Sequence, residues 1–151
     1  VNMLSASSGS KISKTTGLPL PRFVSLKSNK VNLRRGPSLD YKIDWVYKRK
    51  HLPLMIVSEF GHWRQVTDFE GYTGWIYKDL LSGSRYIIVN NEETLLRNKA
   101  TFDSLGKAVL KREVIAKLID CEGLWCFIRI SNMRGYVLAE HIWGISIDKR
   151  Y

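Results

Sequence analysis

At 151 residues the chain has room for one ordinary domain or two small ones. It carries 24 Lys and Arg against 14 Asp and Glu, a formal charge of +10, and this favours anionic partners: carboxylate-rich peptides or polysaccharides, phosphorylated lipid or nucleic acid. The longest apolar run, residues 52–57, is interrupted by Pro53, which excludes a membrane-spanning helix of roughly 18 apolar residues.

Residues 1–18 begin with Val1 in place of Met, as in a processed or trimmed product, and include the run Ser5-Ala6-Ser7-Ser8-Gly9-Ser10. Small, polar and unpatterned, they are expected to form a disordered leader. Gly17-Leu18-Pro19-Leu20-Pro21 then reads as a stiff linker into a first module over residues 19–83.

Within that module the pattern is that of strands. Residues 23–26 and 31–34 come first, the latter with Val31 and Leu33 on one face and Asn32 and Arg34 on the other. Residues 54–58 and 63–67 follow, joined by a hairpin at 59–62. A turn at 68–71 leads into 73–76, a 3₁₀ turn at 77–80 and a last strand at Leu81.

The same grammar returns in residues 84–145, with strands at 86–89, 95–97, 114–119, 125–130 and 135–138 and a 3₁₀ turn at 139–141. Residues 146–151 remain as a tail. Trp63 aligns with Trp125 at an offset of 62 residues, and Gly74-Trp75-Ile76 aligns with Gly135-Tyr136-Val137 at 61. A period of this length matches one small β domain. The chain therefore reads as all-β, two tandem small barrels of five or six strands with short 3₁₀ turns and no long helix. The positive charge is concentrated in residues 1–83, with 13 basic and 6 acidic side chains.

Asn32-Leu33-Arg34-Arg35-Gly36-Pro37, followed by Gly61-His62-Trp63-Arg64-Gln65-Val66 and Gly74-Trp75-Ile76, resembles the bacterial SH3-type domain in the order and spacing of its elements. The second copy keeps Gly123-Leu124-Trp125 and Gly135-Tyr136-Val137, but Leu96-Arg97-Asn98-Lys99 lacks the Gly-Pro that should follow the arginine. The pair is similar to the tandem SH3-like proteins exported to the periplasm of Gram-negative bacteria. In residue terms, Gly36 is expected to supply a special backbone conformation and Pro37 a fixed φ, sending the strand into a long mobile loop. Gly74 is expected where two strands cross closely.

The resemblance implies SH3-like barrels that bind extended ligands between the loop at about 35–45 and the Trp hairpin at 59–64. That region holds Arg34, Arg35, Tyr41, Lys42, Trp45, Tyr47, His62 and Trp63, flat apolar surfaces mixed with cations. From these, Arg34, Arg35, Tyr41, Trp45, Tyr47, His62 and Trp63 are the candidate ligand residues. The alternative is that Trp45, Trp63 and Trp75 fill the barrel and its rim. The implied partner is a peptidoglycan peptide or an acidic protein or peptide, bound without cofactor or metal. Nucleic acid is the competing partner, and a purely structural interaction subunit the competing role.

Cys121, Cys126, His51, His62 and His141 are the candidates for catalysis or metal binding. Both cysteines fall in one hairpin with no separate catalytic domain, and Cys-x₄-Cys plus two His lacks metal-site spacing. A non-enzymatic role is expected. Cys121 shares parity with Ile119 and Cys126 with Ile128, so the two thiols can face each other and close a disulfide. Such a bond implies an oxidising compartment, periplasmic or extracellular; two reduced thiols in a cytosolic chain are the alternative.

Overall fold

Val31 and Leu33 are buried while Asn32 and Arg34 are half-buried, the two-residue period of a strand with one face on a core. That period organises the whole chain: the computed structural model, which describes residues 11–146, is all-β with two short 3₁₀ turns. It divides into two compact units, residues 11–50 with 54–83 and residues 51–53 with 84–146.

The first unit opens with a small hairpin of β1 (Lys11–Ile12) and β2 (Pro19–Leu20). A seven-stranded sheet follows, made of β3 (Arg22–Leu26), β4 (Val31–Arg34), β5 (Ile43–Tyr47), β6 (Pro53–Phe60), β7 (Trp63–Thr67), β8 (Thr73–Tyr77) and β9 (Leu81–Ser82), in the order β5-β4-β8-β7-β6-β3-β9. Leu26, Val31, Leu33, Leu54, Ile56, Val66 and Ile76 are buried in it. Apolar burial of roughly 1.5 to 3 kcal/mol per large side chain gives each small unit its stability.

The second unit repeats this topology. Its strands are β10 (Tyr86–Val89), β11 (Glu93–Arg97), β12 (Gly106–Lys111), β13 (Ile115–Glu122), β14 (Trp125–Ile130), β15 (Met133–Leu138) and β16 (Ile142–Trp143), in the order β12-β11-β15-β14-β13-β10-β16. Its core gathers Ile87, Val89, Leu96, Ile128 and Val137. The two 3₁₀ turns, Lys78–Leu80 and Ala139–His141, stand at equivalent places before β9 and β16.

Register confirms the alignment of the two copies. Val66 pairs with Gly74 and Ile128 with Gly135. A Cβ on Gly74 would stand 2.5 Å from Leu33 Cγ and 3.0 Å from the Arg34 carbonyl oxygen, and one on Gly135 would stand 2.8 Å from Leu96 Cγ and 2.7 Å from the Arg97 carbonyl oxygen. The close crossing expected at Gly74 is therefore present in both units.

Several expectations change. The sheets are open seven-stranded arrays, not closed barrels of five or six strands. The additional strands include β5 and β12, which occupy the expected loop regions: each is an end strand, largely exposed, so it lacks a clean apolar alternation. Residues 1–10 of the expected leader and 147–151 of the tail lie outside the described residues. Residues 11–18 do not continue a disordered leader; they belong to the β1–β2 hairpin. The Ser13 hydroxyl accepts from the Thr15 and Thr16 amides at 3.1 and 3.3 Å, and Gly17 takes a left-handed φ of +77° to close the turn.

Candidate functional site

The β6–β7 and β13–β14 hairpins carry the chemistry that distinguishes the units. Each closes with two residues, Gly61-His62 and Gly123-Leu124, and each glycine is left-handed, with φ of +56° and +60°. Upstream, β6 bulges between Ile56 and Ser58 and β13 between Leu118 and Asp120. Beyond the bulges Glu59 pairs with Arg64 and Cys121 with Cys126 at the same register step, on the core side.

Cys121 and Cys126 form the expected disulfide, with their Cα atoms 4.0 Å apart. Ile119 is not the core residue that its parity predicts: it sits in the bulge and is 45% exposed, because an extra residue shifts parity. With both sulfurs bonded to each other, neither is available as a nucleophile or metal ligand. Among the described residues no group of three or more His, Cys, Asp or Glu could hold a metal. His141 is engaged through Nδ1 with the Thr94 hydroxyl at 2.8 Å.

In the first unit the same place holds an ion-pair network. Glu59, whose side chain is fully buried, lies 2.9 Å from Arg64 and 2.6 Å from Arg22, and it accepts from the Thr16 hydroxyl at 2.7 Å. Burial pushes its carboxyl up, but hydrogen bonds from Ser13, Arg22 and Thr16 and the charge of Arg22 outweigh this and hold it below the usual carboxylate range. Because Ser13 and Thr16 belong to the β1–β2 turn, this one carboxylate ties the N-terminal hairpin to the sheet.

On the opposite, outward face the inward position of Gly74 turns Trp75 and Tyr77 out. Phe60, Trp63 and Tyr77 are neighbours across β6, β7 and β8, and Gln65, Trp75, Arg34 and Ile43 are neighbours across β7, β8, β4 and β5. Phe60 is 64% exposed; Trp63 and Trp75 are half-buried. Trp63 meets Tyr77 edge to face at 5.6 Å, with His62 at 6.1 Å from the same ring. Five strands at ~4.8 Å spacing make this face about 19 Å wide.

The loop between β4 and β5 borders it. Arg34 donates to the carbonyls of Leu39 and Tyr41 at 3.3 and 3.0 Å, and Arg35 pairs with Asp44 at 2.9 Å. The hydrogen bond from Arg35 and then the Asp44 charge raise the guanidinium above its ordinary range. Gly36 is required for space: a Cβ there would stand 2.5 Å from the Tyr41 ring, and its φ is not left-handed. Tyr41 thus lies across Gly36, half of it exposed.

The structure divides the candidate residues. Trp63, His62 and Arg34 share the outward face, with Tyr41 at its border. Arg35 is exposed beside Asp44. Trp45 opposes Leu33 on the core side of β5 and is still 61% exposed, because β5 ends the sheet. Tyr47 is buried, and its hydroxyl donates to Asp68 at 2.8 Å; burial first, then the Asp68 acceptor and its charge, raise the phenol well above its ordinary range. It braces the turn at Asp68, whose other oxygen accepts from the amides of Glu70 and Tyr72. Phe60, Trp75 and Tyr77 were absent from the candidate set, although the parity of Trp75 and Tyr77 around Gly74 places them beside Trp63.

No curated protein matches the chain. Solved structures that resemble it include NlpC2 and NlpC1 from Trichomonas vaginalis, at 14% and 15% identity, 82% and 93% of this chain, 48% and 50% of theirs, and a TM-score of 0.37 for each. Another is an NlpC/P60 family protein from Bacillus cereus, at 11% identity over 80% of this chain and 55% of that one, with a TM-score of 0.35. The chain spans about half the length of these three. Residues 27–83, the stretch from just after β3 through β9, match the family described as Bacterial SH3 domain.

Proposed function

We propose that the chain is a non-enzymatic binding protein of the periplasm or cell exterior, and that the outward face of its first unit takes an extended peptidoglycan peptide. The observation that carries this reading is the run of Phe60, Trp63, Tyr77 and Trp75 in adjacent register positions on an SH3 domain. Rings held by a sheet give a flat apolar track at low entropic cost, which suits the apolar face of an extended peptide. The Cys121–Cys126 bond supports an oxidising compartment.

Nucleic acid is a second reading, since Trp75 and Tyr77 share one face of β8 and rings on a sheet can stack bases. It is the weaker one because Arg34 is engaged with loop carbonyls and Arg35 with Asp44, leaving less charge at the face for phosphates.

Co-sedimentation of the full chain with purified peptidoglycan, with single-stranded oligonucleotide as competitor at low and high salt, tests this. Binding that survives high salt and excess oligonucleotide is expected. Release by oligonucleotide, with a steep loss in salt, would transfer the function to nucleic acid.

A further inference from the structure

Arg97 in the second unit occupies the position of Arg34 in the first: Arg34 pairs with Trp75 and Arg97 with Tyr136 across equivalent strands. Their surroundings differ. Arg34 donates to two loop carbonyls. Each loop closes at the residue after its arginine, through the Arg35 amide on the Lys42 carbonyl at 2.9 Å and the Asn98 amide on the Leu105 carbonyl at 3.0 Å, but the second lacks Gly-Pro and adds the Lys99 amide on the Ser104 hydroxyl at 2.9 Å. Arg97 has neither a hydrogen bond nor an ion pair among the described residues. Its Nε is buried without a partner, and the residue as a whole is half-buried.

Two aromatic rings hold this guanidinium in place. Its Cζ lies 5.1 Å from the Trp125 ring centre and 5.9 Å from that of Phe102, and the two rings meet at 5.1 Å. Trp125 is buried and Phe102 is 65% exposed. Cation–π contact positions the charge but leaves its N–H donors unused. A guanidinium with unused donors favours an anion, and its planar fork matches a carboxylate bidentately.

We propose that Arg97, Trp125 and Phe102 form a second ligand site, one that takes a carboxylate carried beside an apolar group, as at the free C-terminus of a peptide. The two Nη atoms grip the carboxylate, and the exposed Phe102 ring covers the neighbouring side chain. Asp103, next to Phe102, makes no ion pair with Arg97 and so does not already fill the site. The departure from the family motif after Arg97 thus converts a loop-bracing arginine into a receptor.

The test is NMR of the full chain, following the Arg97 Nε–H and Trp125 indole N–H during titration with N-acetyl-leucyl-alanine and with its C-terminal amide. The acid should move both resonances, and the amide should bind about tenfold more weakly, as expected for loss of a charge-assisted pair. Arg97→Lys keeps the charge but loses the fork, and should also weaken binding about tenfold. Phe102→Ala, an exposed change, should weaken it several-fold, while Tyr72→Ala, an exposed change outside both sites, should leave it unaltered. Equal binding of acid and amide, or unmoved resonances at millimolar peptide, would overturn the assignment. If Arg97→Lys disturbs folding by circular dichroism, the acid-to-amide comparison on the native chain decides alone.

Discussion

Glu59 and Arg64 face each other at 2.9 Å at the register step where the other unit has its disulfide. The two units thus cross-link the same hairpin by different chemistry. In the first the link also collects Arg22, Ser13 and Thr16, so removing the acid leaves buried Arg64 and half-buried Arg22 without their carboxylate as well as freeing the N-terminal hairpin. Glu59→Ala should destabilise the first unit by about 3 to 5 kcal/mol, the cost of breaking a buried pair from one side. Denaturant unfolding by circular dichroism measures it; a loss of only a few tenths would mean that water replaces the carboxylate.

Acid should act on the same group. Glu59 has a folded-state pKa below its ordinary value of 4.5, so its contribution is fully present above that pH and is lost as pH falls through the lower folded value. Unfolding midpoints of the native chain should drop below pH 4.5 more steeply than those of Glu59→Gln. Parallel curves would assign the acid sensitivity to other carboxylates.

The second unit should respond to reductant. Opening so short a loop should cost about 2 kcal/mol on the chain-entropy model, confined to the unit that holds Cys121 and Cys126. Hydrogen exchange with and without reductant would show faster exchange in β13 and β14 and no change in β6 and β7. Uniform acceleration in both units would contradict independent cross-links.

Gly36 and Tyr41 should behave as a coupled pair. Gly36→Ala drives a Cβ into the Tyr41 ring, and such overpacking typically costs about 1 to 3 kcal/mol. Tyr41→Ala should relieve it, so the double variant is more stable than the sum of the single changes predicts. Additive losses would return Gly36 to a purely backbone role.

The repeat was legible because it rests on local rules. Turn glycines and apolar alternation put Trp63 opposite Tyr77 and Trp125 opposite Leu138, as the alignment requires. The Cys121–Cys126 pairing was also legible, although Ile119 was a false guide because a bulge leaves no mark in composition. β5 was hidden: Ile43, Asp44 and Trp45 are all exposed on an end strand, so no alternation survives to betray it. Glu59 was hidden for another reason. Its partners Arg22 and Thr16 lie 37 and 43 residues away, and only the folded sheet brings them to one carboxylate. The candidate site was half legible: Trp63 and Arg34 lie on the outward face, Tyr47 is in the core, and Phe60, Trp75 and Tyr77 emerge only when register is known.

The central claim, that the outward aromatic face of the first unit binds a wall peptide, is tested most directly by titrating a soluble peptidoglycan stem peptide into the native chain and into Trp63→Ala and Trp45→Ala, each confirmed folded by circular dichroism. Trp63→Ala should weaken binding by more than about 1 kcal/mol, as loss of a central aromatic anchor does, while Trp45→Ala, on the other side of the sheet, should leave it nearly unchanged. Unaltered affinity in Trp63→Ala, or a larger loss from Trp45→Ala, would contradict the account.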